Sequence, residues 1–318
     1  MLWIALLIAG LTDCASFDYL TKVTEEFPKA KQCGKCHIEI YQEWSKSDHA
    51  TAYVNPHYRQ MTDDYTFDDC LSCHAPQLTF SDQPPTVRAM DRNEGITCVS
   101  CHLDQGKHSG PLEPTGKIAP HPIGVHPEIY RDVGICGRCH QDILRQWNSV
   151  TDEKKTCQEC HMSEVVRKMT QSSGGFSDII VSMEHEIPQR RHDFAIKTPE
   201  SINEMVTTEV RRIDGDMVVT LHNRLPHSLP TGDYGFRILV LELSTLDGQG
   251  AEQSLARVEL APEMKTHIPA HGTREHRVTI PVGSVSLRLR LRRLSYWDQP
   301  ELDLVNQTIE LGRDNADG

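Results

Sequence analysis

The spacing Cys-x-x-Cys-His occurs five times between Cys33 and His161, and no other feature constrains this chain as strongly. The five motifs are Cys33/Cys36/His37, Cys70/Cys73/His74, Cys98/Cys101/His102, Cys136/Cys139/His140 and Cys157/Cys160/His161, which use ten of the eleven cysteines. Two thiols three residues apart can form thioethers with the two vinyl groups of a haem, and an imidazole directly after them falls under the iron as its proximal ligand. Zinc ribbons and redox-active cysteine pairs also use this thiol spacing. Neither accounts for a histidine in the same place five times. The pattern predicts five haem c groups, bound covalently through those ten cysteines, with the five motif histidines on the irons.

Composition fits this expectation. A chain of 318 residues suggests two structured parts, yet hydrophobic residues make up only 38% and aromatics 6%. Stacked macrocycles would supply the missing apolar interior, so stability of that part should depend on cofactor attachment. The net charge of −12 is spread along the chain, and the one basic stretch, Arg288 to Arg293, alternates with leucine as a strand does. This argues against a nucleic-acid partner and for a redox partner protein with a cationic face.

Residues 1–16 read as an export signal with a short apolar run from Met1 to Leu11, implying a periplasmic or extracellular protein. Cys14 sits in a sequence resembling a lipoprotein cleavage site, with Asp13 where a small residue belongs, so removal with the signal is favoured over membrane anchoring. Residues 17–195 carry all the motifs on what should be short helices joined by loops, 196–204 read as a linker, and 313–318 as a disordered tail. Between them, 205–312 turn to alternating β-branched runs: Val206 to Ile213, Met217 to His222, Phe236 to Ser244, Arg274 to Val282, Val285 to Leu291 and Leu302 to Leu311. Asp214-Gly215 and Asp247-Gly248 are turn signals. About seven strands predict an antiparallel β-sandwich, and the chain as a whole an α+β multidomain protein.

An internal repeat aligns Cys33-Gly-Lys-Cys-His-Ile-Glu-Ile-Tyr-Gln-Glu-Trp44 with Cys136-Gly-Arg-Cys-His-Gln-Asp-Ile-Leu-Arg-Gln-Trp147 at an offset of 103 residues. Trp44 lies two helical turns past His37, placed either against a haem edge or in the core. Iron that only passes electrons takes a second axial ligand, and twelve further histidines are available. The candidates are His49, His108, His121, His126, His192 and His227; His57, His185, His222, His267, His271 and His276 are weaker. Methionine is an alternative ligand, but Met162 adjoins His161 and cannot reach the opposite face of the same iron.

The run Cys33-x-x-Cys-His-x-x-Ile-x-x-x-Trp44-x-x-Ser-x-His49, the Cys157-x-x-Cys-His-Met162 close and the later His192-x-Phe194 resemble the cytochrome c-554 family, related to hydroxylamine oxidoreductase and pentahaem nitrite reductase. The likeness spans about residues 30 to 195. It implies that His49 is a distal ligand to a different haem and favours His192 as another. The second copy of the repeat departs from it, since Asp152 stands where His49 would recur. Asn223-Arg-Leu-Pro-His227-Ser-Leu-Pro-Thr-Gly232 is similar to a loop in β-domains appended to multihaem cytochromes, where such a histidine can approach a haem; a rigid turn between strands is the competing reading.

Electron transfer through five mostly bis-histidine haems is the leading expectation. The alternative is an oxidoreductase of nitrite, hydroxylamine or nitric oxide that uses one five-coordinate haem. The absence of any Cys-x-x-Cys-Lys motif disfavours it. A third reading makes the β-domain a docking module for a partner, a surface or another copy of the chain.

Overall fold

The computed structural model describes residues 28–80, 84–115, 121–152, 154–172, 174, 176–194, 204–231, 237–294 and 301–311. The expected signal segment with Cys14, the tail at 313–318 and all but the last residue of the 196–204 linker lie outside the described residues. The chain divides into two compact units, one drawn from residues 1–139 and 155–196, the other from 140–154 and 197–318. The segment His140–Lys154, which the motif pattern assigns to the first half, groups with the second unit.

The first unit is built from short helices, among them Ala30–Cys33, Ile38–Trp44, Asp48–Thr51, Pro56–Met61, Leu71–His74, Cys98–His102, Pro127–Arg131, Gly134–Gly137 and Cys157–His161. Their starts follow from local chemistry. The Asn55 side chain accepts from the backbone N–H groups of His57 and Tyr58 ahead of Pro56, and Thr156 and Glu159 form a reciprocal capping box before the fifth motif. Small sheets join them, which the sequence pattern did not announce. Strands β1 (Leu103–Asp104) and β2 (Lys107–Gly110) pair antiparallel, β2 pairs parallel with β3 (Ile123–Val125), and β4 (Glu164–Arg167) pairs antiparallel with β5 (Ile187–Arg190).

Buried hydrocarbon in this unit is sparse and scattered: Ala30, Trp44, Tyr58, Leu71, Ala75, Val99, Leu103 and Val133. Polar bonds to backbone do much of the holding. Arg88, only 2% exposed, donates to the carbonyls of Met90, Pro76, Asp91 and Gly95 at 2.9–3.0 Å. It thereby ties the loop between the second and third motifs to itself. Burial pushes its pKa down, but with its remaining N–H 3.4 Å from Ser100 Oγ a guanidinium whose donors are all engaged remains a charged staple.

The second unit holds the seven strands β6 (Val206–Ile213), β7 (Asp216–Asn223), β8 (Leu239–Asp247), β9 (Glu252–Leu260), β10 (Thr273–Thr279), β11 (Ser284–Arg293) and β12 (Leu302–Glu310). They form two antiparallel sheets, ordered β10-β7-β6 and β12-β11-β8-β9. Asp214 and Gly215, both at positive φ, make the expected turn between β6 and β7. Strand β9 was not among the expected runs. It is an edge strand with an exposed polar first half, so alternation is legible only from Leu255 onward.

The inner residues of both sheets share one core, which includes Val219, Leu221, Leu241, Leu260, Ile268, Leu287, Leu289 and Leu291. The arginines alternating with leucine on β11 face outward into ion pairs: Arg288 with Glu252 at 3.6 Å, Arg290 with Asp303 at 3.1 Å, and Arg292 with Glu242 and Glu301 at 2.6 Å.

Two substitutions separate these modes of holding. Arg88→Met should cost roughly 3–5 kcal/mol by stranding buried carbonyls, and Leu289→Ala about 2–5 kcal/mol by opening the β-core. Chemical denaturation of the haem-loaded protein measures both, and a loss below about 1 kcal/mol for Arg88→Met contradicts the staple.

Candidate metal centre

Each motif folds as a tight turn or short helix. The repeat extends to backbone geometry, since His37 (φ −88°, ψ 56°) and His140 (φ −92°, ψ 55°) each stand immediately before the helix that follows. The ten motif cysteines are unbridged.

The motif pattern treats all ten thiols alike, and the structure does not. Thiols of different motifs touch: Cys33 hydrogen-bonds to Cys98, Cys73 to Cys139, and Cys136 to Cys157. Cys136 and Cys139 are raised chiefly by their bonds to Cys157 and Cys73 and by burial, with Cys101 near enough to add to both. Cys36 and Cys160, the second thiols of the first and fifth motifs, are half-buried and placed by backbone bonds. The Cys36 N–H donates to the Cys33 carbonyl at 3.2 Å and its carbonyl accepts from the Gln171 N–H at 2.8 Å, while the Cys160 N–H donates to the Thr156 carbonyl at 3.3 Å. Cys70 is exposed. The cause lies in the turn itself, because a Cys-x-x-Cys spacing fixes where the backbone goes but not which remote thiol it meets.

Three of the motif imidazoles are oriented alike. Nδ1 of His37 meets the carbonyl of Met169 at 3.0 Å, that of His74 the carbonyl of Ala52 at 2.8 Å, and that of His102 the carbonyl of Ser109 at 2.7 Å. A carbonyl can only accept, so Nδ1 carries the proton and Nε2 presents its lone pair. Burial lowers the pKa of all three, which keeps the rings in the neutral, ligating form. Around His102 the support is denser. Tyr130 stacks on its ring at 5.2 Å and 13°, and the Tyr130 hydroxyl lies 2.8 Å from the same Ser109 carbonyl and 2.9 Å from that of Cys101.

The distal candidates fall into distinct places. A first-row metal sits about 2 Å from an imidazole nitrogen, so two rings facing one iron have centroids about 6 Å apart. His37 and His121 are 6.5 Å apart, and His102 and His192 are 6.1 Å apart. His121 and His192 also direct Nδ1 to backbone carbonyls, of Pro122 at 3.3 Å and Arg190 at 3.0 Å. Burial is the main cause that lowers the His192 pKa to about 3. These two pairs therefore fit an iron between them.

His108, on β2, lies 4.5 Å from the His121 ring. Both of its nitrogens are buried without a hydrogen-bond partner among the described residues. Burial, with His121 and His102 nearby, pushes its pKa down to about 4. His49 packs on Phe194 at 4.3 Å. His126 instead faces carboxylates, with Nε2 3.8 Å from Asp104 and Nδ1 3.4 Å from Glu128. His227 lies in the second unit, with Nδ1 3.1 Å from the Ser228 carbonyl. Trp44 is buried and donates from Nε1 to the Ile96 carbonyl at 2.8 Å.

Residues 32–103, which carry the first three motifs, match the family model described as cytochrome c554 and c-prime. Within that segment the chain is similar to this family of multihaem cytochromes c. Its fold is similar to that of a penta-heme cytochrome c552 from Thermochromatium tepidum, with a TM-score of 0.62 at 17% identity, covering 89% of this chain and 99% of that one. Among curated proteins none matches. Among the described residues no three His, Cys, Asp or Glu side chains converge as for a bare metal ion.

Sequence reasoning missed two supports of this centre. Tyr130 carries no motif. Glu43, inside the repeat, holds Arg167 through two bonds at 2.8 and 3.1 Å and accepts the His192 backbone N–H at 2.9 Å; its place in the aligned repeat was the one signal that pointed to it. For Tyr130→Phe the Ser109 carbonyl is left to His102 alone, which strengthens that bond, increases imidazolate character and moves one haem to a more negative potential. A spectroelectrochemical titration with every component unmoved contradicts this.

Proposed function

We propose that the chain carries five haem c groups and passes electrons among them, with His37/His121 and His102/His192 as two axial pairs. The observation that carries this reading is the presence of paired imidazoles at iron-spanning distance, with their Nδ1 atoms committed to backbone carbonyls. Iron bound this way on both faces has no open position for a substrate, and bis-histidine haem cycles between oxidation states with little change in geometry. His108 is suited to a further iron, because a metal–nitrogen bond would offset the cost of its unpaired burial.

The thiol contacts support a connected set of haems. First and third attachments are neighbours, as are second and fourth, and fourth and fifth, while Cys101 lies near the fourth motif. Cys36 and Cys160 complete the first and fifth attachments as the second thioether of each. Electrons entering at any haem then reach the others without a mobile carrier. The similar fold of a penta-heme cytochrome c552 supports the count of five. The acidic chain, with haem propionates added, suits a redox partner with a cationic face and offers nothing to nucleic acid. Export to the periplasm or beyond follows from the attachment chemistry and the N-terminal apolar run; no described helix is long and apolar enough to cross a membrane.

Intact mass of the purified protein should exceed that of the chain by five haems, and electron paramagnetic resonance should show low-spin iron unaffected by nitrite or hydroxylamine. His121→Ala should convert one haem to high spin. A smaller mass increment, or a His121→Ala spectrum identical to the parent, contradicts the reading.

A further inference from the structure

The bond between His74 Nδ1 and the Ala52 carbonyl, at 2.8 Å, selects the tautomer but leaves one freedom. A ring held at a single atom can swivel about the N–H···O axis, and that swivel turns both the imidazole plane and the direction in which Nε2 points. Tyr58 blocks it. Its ring lies 3.8 Å from the His74 ring, centroid to centroid, with 4° between the planes. A flat partner at that separation lets the imidazole slide but not tilt.

Tyr58 is itself fixed along its backbone and around its ring. Asn55 Oδ1 accepts its N–H at 3.3 Å, and its carbonyl accepts from the Thr62 N–H at 3.0 Å and the Thr62 hydroxyl at 2.9 Å. Tyr53 and Tyr65, stacked on each other at 4.4 Å and 5°, stand tilted against the Tyr58 ring at 6.4 and 6.0 Å. The Tyr65 hydroxyl donates to the Tyr53 carbonyl at 3.2 Å. Because Tyr53 directly follows Ala52, one short stretch supplies both the acceptor for His74 and part of the wall behind its stacked partner.

The Tyr58 hydroxyl takes no part in this. It is buried without a hydrogen-bond partner among the described residues, in a residue only 6% exposed, which is a net cost. Tyr130 differs, since it stacks on His102 less closely, at 5.2 Å and 13°, and its hydroxyl reaches two carbonyls. At His74 the ring face alone acts. The face of a phenol is electron-rich, and an imidazole that donates through Nε2 to ferric iron becomes electron-poor, so the contact gains more with oxidised than with reduced iron.

We propose that Tyr58 is a positioning residue for His74 as the proximal ligand of the second haem, fixing the imidazole plane and favouring the oxidised iron. The proposal rests on the pentahaem reading above and deepens it, since it adds a residue that acts on one iron through another side chain.

The test uses the haem-loaded full chain with Tyr58→Phe, Tyr58→Leu and Tyr58→Met. Mass spectrometry of the peptide that holds Cys70 and Cys73 locates haem there, and electron paramagnetic resonance and spectroelectrochemical titration follow. Tyr58→Phe keeps the ring and should match the parent in its g values and in every potential. Tyr58→Leu is apolar but has no ring, so one set of low-spin ferric g values should shift and one potential should move positive while the others stay in place. Tyr58→Met should do the same, and it decides the matter if the Leu variant does not fold. A residue that only packs would change stability and leave g values and potentials unmoved. Parent-like g values and potentials in the Leu and Met variants overturn the positioning role with the pentahaem reading intact. A Tyr58→Phe protein shifted as far as Tyr58→Leu overturns the assignment to the ring face. A parent peptide without haem on Cys70 and Cys73 overturns both the proposal and the pentahaem reading.

Discussion

The first unit depends on a shortage. Among the described residues its buried hydrocarbon is a handful of separate side chains, too little to close an interior of this size through the hydrophobic effect alone. Helices of four to seven residues cannot compensate, since isolated helices so short are unstable in water. Porphyrin rings bonded to the motif thiols, as proposed above, would complete that interior and make cofactor and core one object. The second unit is the contrast, with a continuous leucine and valine core between two sheets that needs no cofactor to form.

Where the interior is a metal cofactor, the polar groups around it must hold the ligands in one chemical state. Carbonyl oxygens at Met169, Ala52 and Ser109 do so by accepting from Nδ1, which selects the tautomer that offers Nε2 to iron. Desolvation works in the same direction by disfavouring the imidazolium form. Protonation state is thus set by backbone, which makes it insensitive to side-chain substitution around the haems. Tyr130 is the exception, a side chain that shares the Ser109 acceptor and stacks on the ring it competes with.

Covalent chemistry and periodicity were legible in the sequence because both are local. Cys-x-x-Cys-His reads without its neighbours, and strict alternation along β11 announced inward leucines and outward arginines. What escaped was non-local. Spacing marks Cys33 and Cys36 as equals, and only the fold sets the first against Cys98 while a backbone bond from Gln171 holds the second. Arg88 reads as a surface arginine until the folded loop brings four carbonyls around it. Among histidines the sequence offered six distal candidates without partners; distance then separated His121 and His192, each opposite a motif histidine, from His126, which faces carboxylates. Strand β9 escaped for another reason, since an edge strand with a wet outer half has no reason to alternate.

The unequal cores of the two units bear on how the molecule is made. Thioether formation requires thiols and vinyl groups to meet before the chain has closed around them. A half that cannot close without its macrocycles keeps its motifs accessible for as long as attachment takes, whereas the sheets of the second unit can fold at once. With haem attached as proposed, the poverty of the first unit in hydrocarbon would also act in time, delaying burial of the reactive cysteines until each has been used.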